Sequence, residues 1–400
     1  MPELSLPRVL FFVEGYTDIR FVVGLSEVCD LTMAVPAHAY EESGLKARVV
    51  ASGAKLKVHE IAGGRVAFQV RSFAFLWNVA RDFDLVFSQE MLRGSLNATL
   101  VGALRGVPVV TSMALPPVEY FRCRRERGQI GAVRAWLGEA VIRSLLVING
   151  KGATACLALG TYLRDLASRY CGRTERWFYY GVDVNAFRPG SVDERVALRK
   201  RLGLPLDKFL IILSSRISHE KDPETVLRAV ATARAAGLDA VVLNLGGGYQ
   251  QFLALAHSLN LPDVSTWVLG RPAAHPMTEL ADYIRTGDVL VQGSLEEGLG
   301  LSPLEALACD VPVVATAVGG LTHLQDYATL TPRRDVEAMA RAVLAIAADP
   351  AAARLRTQRG REYVRSAWSR DVAFQSLRSV LIGIARGRTA AREALCSTRM

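Results

Sequence analysis

Short apolar runs alternate with longer segments of helical spacing through the first part of the chain. The apolar runs at Arg8–Val13, Asp84–Ser88 and Val107–Ser112 have the length and composition of buried β-strands. Between them, Thr17–Cys29 and Leu92–Leu104 place apolar residues three or four positions apart, which is the spacing of an α-helix. Strands that alternate with helices in this way predict a parallel sheet with helices on both faces.

The segment that follows the first predicted helix has a mixed pattern. Leu31–Val35 predicts a second short strand, and Arg48–Ser52 and Lys57–Ile61 are interpreted as two more. Val66–Ala80 has helical spacing and is rich in aromatic residues. We expect these aromatic side chains to pack in the core and not to bind a cofactor.

The second half of the chain repeats the alternation more regularly. The predicted strands are Phe209–Leu213, Ala240–Leu245, Thr266–Leu269 and Val289–Gln292. Asp222 and Asp335 are predicted to be the N-caps of helices that run to Ala236 and Ala347. A second α/β sheet is therefore expected.

Residues Asn185–Ser191 combine Pro, Gly and polar side chains, which is the chemistry of a linker. A chain of 400 residues is also too long for one ordinary core. We therefore predict an N-terminal Rossmann-like domain at 1–186 and a C-terminal Rossmann-like domain at 187–371. An amphipathic helix at about 372–386 is assigned to the N-terminal domain.

Composition is that of a soluble globular enzyme, because 50% of the residues are hydrophobic and 22% are charged. The first residues lack the pattern of a signal peptide, and no run of 18 apolar residues predicts a transmembrane helix. Six scattered cysteines indicate neither a zinc site nor a disulfide framework. We expect a cytoplasmic protein without metal or cofactor.

The net charge is +9, and much of the excess is local. The basic segment 122–143 contains Arg122, Arg124, Arg125, Arg127, Arg134 and Arg143. Two interpretations stay open: a solvated helix face, or a surface that meets an acceptor or an anionic membrane. The chain contains no nucleic-acid-binding motif, so nucleic acid is not an expected partner.

The most informative stretch runs from Glu297 to Glu305, two acids separated by seven residues. Gly298 and Gly300 follow the first acid, and a helix start is predicted between the acids. The preceding strand places this loop at the carboxyl edge of a parallel sheet, where open α/β sheets bind ligands. Backbone N–H groups at a helix N-terminus suit a phosphate. An alternative is structural, because Ser302 to Glu305 also fits a capping box with Pro303 as the first helical residue.

This stretch resembles the donor-site pattern of retaining glycosyltransferases of family 4, the group 1 family with the GT-B fold. The resemblance implies that Glu297 contacts the transferred sugar and that Glu305 binds the nucleotide ribose. It also implies that the backbone after Glu297 binds the diphosphate. The residues assigned to this part of the donor site are Gly298, Leu299, Gly300 and Leu301.

Other motifs match the same family. Arg216 and Lys221, with four residues between them, follow a predicted strand, and two cations there can bind one diphosphate. The resemblance assigns Gly246 and Gly247 to close approach of the nucleotide, and Gly15 of the first loop to the donor. One departure concerns the loop after Val107–Ser112, where family members have a sugar-contacting His and this chain has Met113.

The resemblance implies an α/β protein with two Rossmann-like domains that face a cleft, and a C-terminal helix that crosses back to the first domain. The implied activity is retaining transfer of a sugar from a nucleoside-diphosphate sugar to a sugar or lipid-linked acceptor, in glycan, glycolipid or polysaccharide biosynthesis. Two alternatives are a sugar-nucleotide 2-epimerase and a non-catalytic nucleotide-sugar binding protein. A peripheral contact with the inner face of an anionic membrane is a further expectation.

Overall fold

A computed structural model of the chain describes residues 6–126, 128–270 and 277–397, so Arg127 of the basic segment lies outside the described residues. The chain forms two compact units. Unit 1 falls within Met1–Val118, Trp136–Gly181 and Asp371–Met400, and unit 2 within Glu119–Ala135 and Val182–Arg370. Each unit contains one parallel sheet.

The sheet of unit 1 has seven strands: β1 (Arg8–Phe12), β2 (Asp30–Pro36), β3 (Leu56–Ile61), β4 (Leu85–Ser88), β5 (Val109–Met113), β6 (Ala155–Leu159) and β7 (Thr174–Trp177). Their spatial order is β3-β2-β1-β4-β5-β6-β7, so the chain reverses direction across the sheet between β1 and β4. All registered pairs are parallel, which confirms the prediction from the alternating pattern.

The helices of the first half are α1 (Ile19–Val28), α2 (Ala37–Glu42), α3 (Leu45–Ser52), α4 (Arg65–Val79), α5 (Leu96–Arg105), α6 (Pro117–Glu126), α7 (Ala132–Gly152) and α8 (Gly160–Ala167). α1 begins where the Asp18 carboxylate accepts a hydrogen bond from the Arg20 backbone N–H at 2.9 Å. Phe68 of α4 packs on the sheet, with its ring 5.9 Å from that of Phe12. The aromatic residues of α4 that point inward are thus core residues, as predicted.

The sheet of unit 2 has six strands: β8 (Phe209–Leu213), β9 (Ala240–Asn244), β10 (Val268–Gly270), β11 (Val289–Gln292), β12 (Val313–Thr316) and β13 (Thr329–Thr331). Their order is β10-β9-β8-β11-β12-β13, and the reversal falls between β8 and β11. The helices are α9 (Val192–Arg201), α10 (Pro223–Ala235), α11 (Tyr249–Ser258), α12 (Val264–Trp267), α13 (Met277–Arg285), α14 (Leu301–Ala308), α15 (Val336–Ala348) and α16 (Pro350–Ala367). The second sheet therefore repeats the order of the first six strands of the first sheet around its own switch point.

One prediction about secondary structure is wrong, and another places the start of a strand two residues early. Arg48–Ser52 belongs to helix α3, in which Leu45 and Val49 are buried one turn apart, because a short apolar run does not distinguish strand from helix. The predicted strand at Thr266–Leu269 begins only at Val268, since the preceding residues close α12.

The two predicted N-caps have different outcomes. Asp335 is confirmed, because its carboxylate accepts a hydrogen bond from the Ala338 backbone N–H at 2.8 Å. Asp222 precedes α10 but has a left-handed backbone with φ of 43°, and its carboxylate accepts instead from the Thr225 hydroxyl at 2.7 Å. The prediction that Asp222 is the N-cap residue is confirmed in position, but its side chain makes no hydrogen bond that caps the helix backbone.

The last helix, α17 (Arg370–Ser397), packs as part of unit 1 from Asp371 onward. The Phe374 ring lies 6.3 Å from the Phe21 ring of α1. A Cβ atom at Gly24 would come within 1.9 Å of the Phe374 ring, so only glycine leaves space for it. The prediction that the C-terminal helix returns to the N-terminal domain is confirmed.

Candidate functional site

The predicted donor-site residues of unit 2 lie on loops at its switch point. The loop after β8 leads to a 3₁₀ turn at His219–Lys221, and the loop after β11 leads through Glu297 to α14. β8 and β11 are hydrogen-bonded neighbours, with Ile212 beside Leu290. Their carboxyl ends therefore bring two loops that are distant in sequence to one place.

Glu297 is at the centre of this site and is only 8% exposed. Its Oε2 accepts hydrogen bonds from Lys221 Nζ, from Gln292 Nε2 at 2.6 Å and from Ser294 Oγ at 3.3 Å. A carboxylate withdrawn from water is stable when it is paired and hydrogen-bonded, and this one is both. The structure thus joins two of the predicted catalytic residues, Lys221 and Glu297, in one buried ion pair.

The glycines after Glu297 allow backbone segments to approach closely. A Cβ atom at Gly320 would lie 1.9 Å from the Gly298 carbonyl oxygen, and the Gly320 N–H donates to the Glu297 carbonyl at 2.8 Å. Gly300 has φ of 90°, a left-handed conformation that favours glycine, and stands immediately before Leu301, the first residue of α14. The early backbone N–H groups of α14 lack intrahelical acceptors, as at any helix start.

Glu305 is buried in α14 one turn beyond the glycine loop. The N-cap of α14 is Gly300, whereas a capping box would require Ser302 at that position and Pro303 as the first helical residue. The capping-box alternative is therefore wrong. The assignment of Glu305 to the nucleotide ribose stays a prediction.

Gly246 and Gly247 follow β9, and Gly246 lies against the backbone of the loop after β8. A Cβ atom at Gly246 would come within 1.9 Å of the Ser215 carbonyl oxygen, and Gly247 has φ of 77°. These glycines therefore let the two loops touch through their backbones. The structure brings them beside the residue that precedes Arg216.

Arg216 itself does not join the buried pair. Its side chain is 78% exposed, and its guanidinium lies 3.8 Å from the Glu220 carboxylate. An exposed pair at this distance contributes little stability, so Arg216 is held only loosely. Of the predicted phosphate-binding cations, Lys221 is fixed inside the site and Arg216 is at its surface.

The electrostatics of the site involve two further carboxylates and a tyrosine that the sequence did not indicate. Burial raises the pKa of the Tyr120 hydroxyl of α6, and the nearby carboxylates of Glu297, Glu220 and Glu296 raise it further. Burial also raises the pKa of Glu220, but its backbone N–H and the cations Lys221 and Arg216 outweigh that effect and leave it below its usual range. Tyr120 is therefore a neutral phenol close to an acidic cluster.

Other site residues were missed because their role depends on long-range contacts. Gln292, the last residue of β11, is a polar side chain in a buried strand, and this was the one sequence signal available. His323 contacts the loop, with Nε2 3.3 Å from the Leu299 carbonyl and Nδ1 3.0 Å from the Tyr363 hydroxyl. Both side chains fix the position of the Glu297–Gly300 loop.

The remaining predicted donor residue, Gly15, lies in unit 1 after β1. The neighbouring Glu14 Oε1 accepts hydrogen bonds from Gln69 Nε2 at 2.9 Å and from Arg93 Nε at 2.8 Å. Met113, which replaces the histidine of the resembled family, is buried at the end of β5. The role of Gly15 stays a prediction.

Within the residues that the structure describes, no group of three or more His, Cys, Asp or Glu side chains could hold a metal ion. Over the same ranges, every helix falls short of the length and apolar character that crossing a membrane requires.

Comparisons with known proteins agree with this geometry. Residues 194–363 match the family model described as "Glycosyl transferases group 1". The chain is 34% identical over 257 residues to D-inositol 3-phosphate glycosyltransferase 1 of Catenulispora acidiphila, covering 60% of this chain and 57% of that protein. It is 36% identical over 205 residues to D-inositol 3-phosphate glycosyltransferase of Saccharomonospora viridis, covering 48% of this chain and 46% of the relative. The chain thus spans about half the length of these curated relatives.

Solved structures share the fold at low sequence identity. Anabaena Alr3699/HepE in complex with UDP has a TM-score of 0.75 at 14% identity, covering 94% of this chain and 100% of that one. Sucrose-phosphate synthase from Thermosynechococcus elongatus has a TM-score of 0.69 at 18% identity, covering 98% and 100%. WaaG, a glycosyltransferase involved in lipopolysaccharide biosynthesis, has a TM-score of 0.68 at 11% identity, covering 94% and 99%. The similarity to these structures extends over nearly the whole chain.

Proposed function

We propose that this chain, whose residues 194–363 match the group 1 glycosyltransferases and whose fold is GT-B, transfers a sugar from a nucleoside-diphosphate sugar to a sugar or lipid-linked acceptor, with retention of anomeric configuration. The proposed setting is glycan, glycolipid or polysaccharide biosynthesis. A cytoplasmic location and a membrane contact of the basic segment 122–143 stay predictions.

One observation above all supports this proposal: the buried Lys221–Glu297 pair beside a glycine loop and a helix start. Lys221 provides positive charge, and the first N–H groups of α14 provide donors for a phosphate. Gly298 and Gly300 keep the loop free of side chains, so a diphosphate can come close to the backbone. This is the chemistry that a nucleotide-sugar diphosphate requires.

In the proposed reaction, the bond between the anomeric carbon and the diphosphate oxygen breaks, and the leaving nucleoside diphosphate keeps the electron pair. The acceptor hydroxyl attacks the same face of the sugar, and its proton passes to the departing phosphate oxygen. Lys221 and the backbone donors stabilise the charge that grows on that phosphate, which is usually the largest catalytic effect in such a site.

Glu297 is assigned to positioning the sugar and to electrostatic stabilisation. Its Oε2 already accepts from Lys221, Gln292 and Ser294, and its Oε1 is 3.2 Å from the Gly298 N–H. A carboxylate held by this many donors is a weak nucleophile. We therefore propose no covalent sugar–enzyme intermediate.

The test is a panel of UDP, GDP and ADP sugars incubated with the protein, with release of free nucleoside diphosphate as the readout. UDP sugars come first because solved relatives of this fold bind UDP and UDP-glucose. We expect release from one donor class, and a loss of about 30- to 1,000-fold in that release for Glu297→Gln. The sugar product is analysed in parallel to detect an epimer. Epimer formation, or nucleotide binding without any turnover across the panel, would disprove the transferase proposal.

A further inference from the structure

A cavity of about 520 Å³ lies at the amino-terminal edge of the sheet of unit 2. Phe209 of β8, Asp288 before β11 and Pro312 before β12 line it, so it adjoins the starting ends of three parallel strands. Lys221 and Glu297 follow the opposite ends of β8 and β11. The cavity is therefore separate from the candidate donor site, and its volume is in the range of small-molecule sites. We call it the amino-edge cavity.

Both carboxylates that line the amino-edge cavity are already paired with arginines. Asp288 Oδ1 accepts from Arg195 Nη1 at 2.9 Å, and its Oδ2 accepts from Arg199 Nη2 at 2.7 Å. Asp310 Oδ2 accepts from Arg361 Nη1 at 2.7 Å. Three arginines therefore neutralise two carboxylates, and positive charge is in excess at this part of the wall.

Arg285, which also lines the cavity, does not remove this excess. It forms ion pairs with Glu194 at 2.8 Å and with Asp282. Each of these carboxylates is shared with a second arginine, Glu194 with Arg188 and Asp282 with Arg201. The acids around the cavity are thus already used by arginines.

Arg354 of α16 adds a further cation to the wall. It is exposed, and among the residues that the structure describes it forms no ion pair. Its charge acts on Asp310: burial raises the pKa of that carboxyl, and the cations Arg361 and Arg354 act against the rise. A guanidinium holds several N–H groups in one plane and binds a phosphate through two of them. Arg354 therefore offers the cavity a binding group for an anion.

Two buried polar atoms of the wall have no hydrogen-bond partner within the described ranges. One is Nε of Arg285, a donor on a side chain that is 10% exposed. The other is Oδ1 of Asp310, an acceptor. A buried donor or acceptor without a partner costs free energy, and a hydroxyl group suits either because it both donates and accepts. The wall therefore favours a ligand that carries hydroxyl groups as well as negative charge.

We propose that the amino-edge cavity binds a small phosphate ester that carries hydroxyl groups. The phosphate pairs with Arg354, the hydroxyl groups bind Arg285 Nε and Asp310 Oδ1, and the carbon skeleton packs against Phe209 and Ile346 of the wall. A phosphate ester carries about two negative charges at pH 7, which matches the excess of arginine better than a single carboxylate does. This is a second ligand site, and it does not depend on sugar transfer.

The experiment is isothermal titration calorimetry of the full chain with three probes. Glycerol 3-phosphate has both features of the ligand, inorganic phosphate lacks the polyol, and glycerol lacks the phosphate. The variant Arg354→Ser removes the cation of the wall. The matched control, Arg359→Ser, removes another exposed arginine of α16 that does not line the cavity. A second control, Arg216→Ala, changes the exposed arginine beside the donor site.

We expect the unmodified protein to bind glycerol 3-phosphate, to bind inorganic phosphate several-fold more weakly, and to give no heat of binding with glycerol. Arg354→Ser should bind glycerol 3-phosphate about tenfold more weakly, because a charge-assisted contact is lost. Both controls should bind it as the unmodified protein does. Thermal unfolding checks that each variant is folded. Nucleotide release from the donor panel is measured separately, and its failure would bear on sugar transfer alone.

The proposal fails on any one of four results. The first is no saturable binding of glycerol 3-phosphate by the unmodified protein. The second is equal affinity in Arg354→Ser and Arg359→Ser. The third is a loss in Arg216→Ala as large as that in Arg354→Ser, which would place the phosphate at the donor site. The fourth is glycerol or inorganic phosphate binding as tightly as glycerol 3-phosphate, because the two features would then not act together.

Discussion

The first six strands of the first sheet and the six strands of the second sheet have the same order, yet the two switch points place acid and cation in opposite positions. In unit 2 the cation Lys221 follows the first central strand, β8, and the acid Glu297 follows β11. In unit 1 the acid Glu14 follows β1 and the cation Arg93 follows β4. The Lys221 side chain is 13% exposed, whereas that of Arg93 is 55% exposed.

This contrast shows how the same topology produces different chemistry. The strand order determines where loops from distant parts of the sequence meet, and the loop residues determine what they can bind. At the switch point of unit 2, the ion pair adjoins a loop in which Gly300 has a left-handed backbone and immediately precedes α14. In unit 1, a Cβ atom at Gly94 would lie 2.7 Å from Glu14 Oε2, so the carboxylate is packed against the backbone of the loop after β4.

The sharpest test of the contrast is Lys221→Met, which removes the cation and keeps an apolar side chain of similar length. We expect kcat/KM for the preferred sugar donor to fall by an amount that corresponds to a loss of roughly 2–4 kcal/mol in transition-state stabilisation. The reason is that a fixed cation beside the leaving phosphate is removed. Steady-state nucleotide release measures this change. Arg216→Ala is the control for charge at the surface, and it should leave the free energy of unfolding nearly unchanged.

The Lys221→Met variant should also have a free energy of unfolding lower by about 3–5 kcal/mol, because Glu297 would be left as a buried charge without a cation. The double variant Lys221→Met/Glu297→Gln removes both charges and should recover much of the stability while staying inactive. Urea unfolding that shows no loss in the single variant would contradict the buried pair.

The next effect in size concerns nucleotide affinity. Glu305→Gln replaces one acceptor oxygen of a buried side chain and should weaken binding of the nucleoside diphosphate by about 1–3 kcal/mol. Isothermal titration calorimetry measures the affinity. Since α14 is not capped by a Ser302–Glu305 box, an unchanged affinity would disprove the ribose assignment and leave Glu305 as a packing residue.

A smaller effect is expected at the switch point of unit 1. Arg93→Met should lower the free energy of unfolding by no more than about 1 kcal/mol, since the arginine is largely exposed. It should leave the affinity for the nucleoside diphosphate unchanged. If calorimetry showed that Arg93→Met weakens binding of the nucleoside diphosphate as strongly as Lys221→Met does, the distinction between the two switch points would be wrong.

The smallest effect depends on pH. The pKa of Glu220 is lowered in the folded protein, so the fold favours its ionised form and gains stability at pH values above the range of an ordinary glutamate. Glu220→Gln should therefore be less stable than the unmodified protein at pH 7, by about 1 kcal/mol or less. The difference should close as the pH falls through the lowered pKa. Urea unfolding between pH 7 and pH 3 tests this, and a constant difference would contradict it.

The sequence predicted the architecture and the position of the glycine loop between a strand and a helix. Alternating strands and helices, the glycine loop after Glu297 and the returning C-terminal helix all have short-range signals, such as apolar periodicity and glycine spacing. Short apolar segments do not distinguish a strand from a helix. Arg48–Ser52 was predicted as a strand but belongs to helix α3, which buries only two of its apolar residues. Local spacing also suggested a capping box that the backbone at Gly300 does not form.

Contacts between distant segments could not be predicted from spacing. Lys221 and Glu297 are 76 positions apart, and only the pairing of β8 with β11 brings them together. The placement of Tyr120 near the acidic cluster depends on α6 joining unit 2 after its chain has passed through unit 1. These features follow from tertiary packing, for which the sequence offers no periodic signal.

The ring of Phe374 seated against Gly24 has a consequence for the order in which the protein is made. A ribosome completes residues 182–370 before it reaches Asp371, although β1 and α1 emerge first. Until α17 is synthesised, α1 lacks the Phe374 ring that covers Gly24 and Phe21. The N-terminal sheet is therefore the first part of the protein to be translated and the last to receive its full covering.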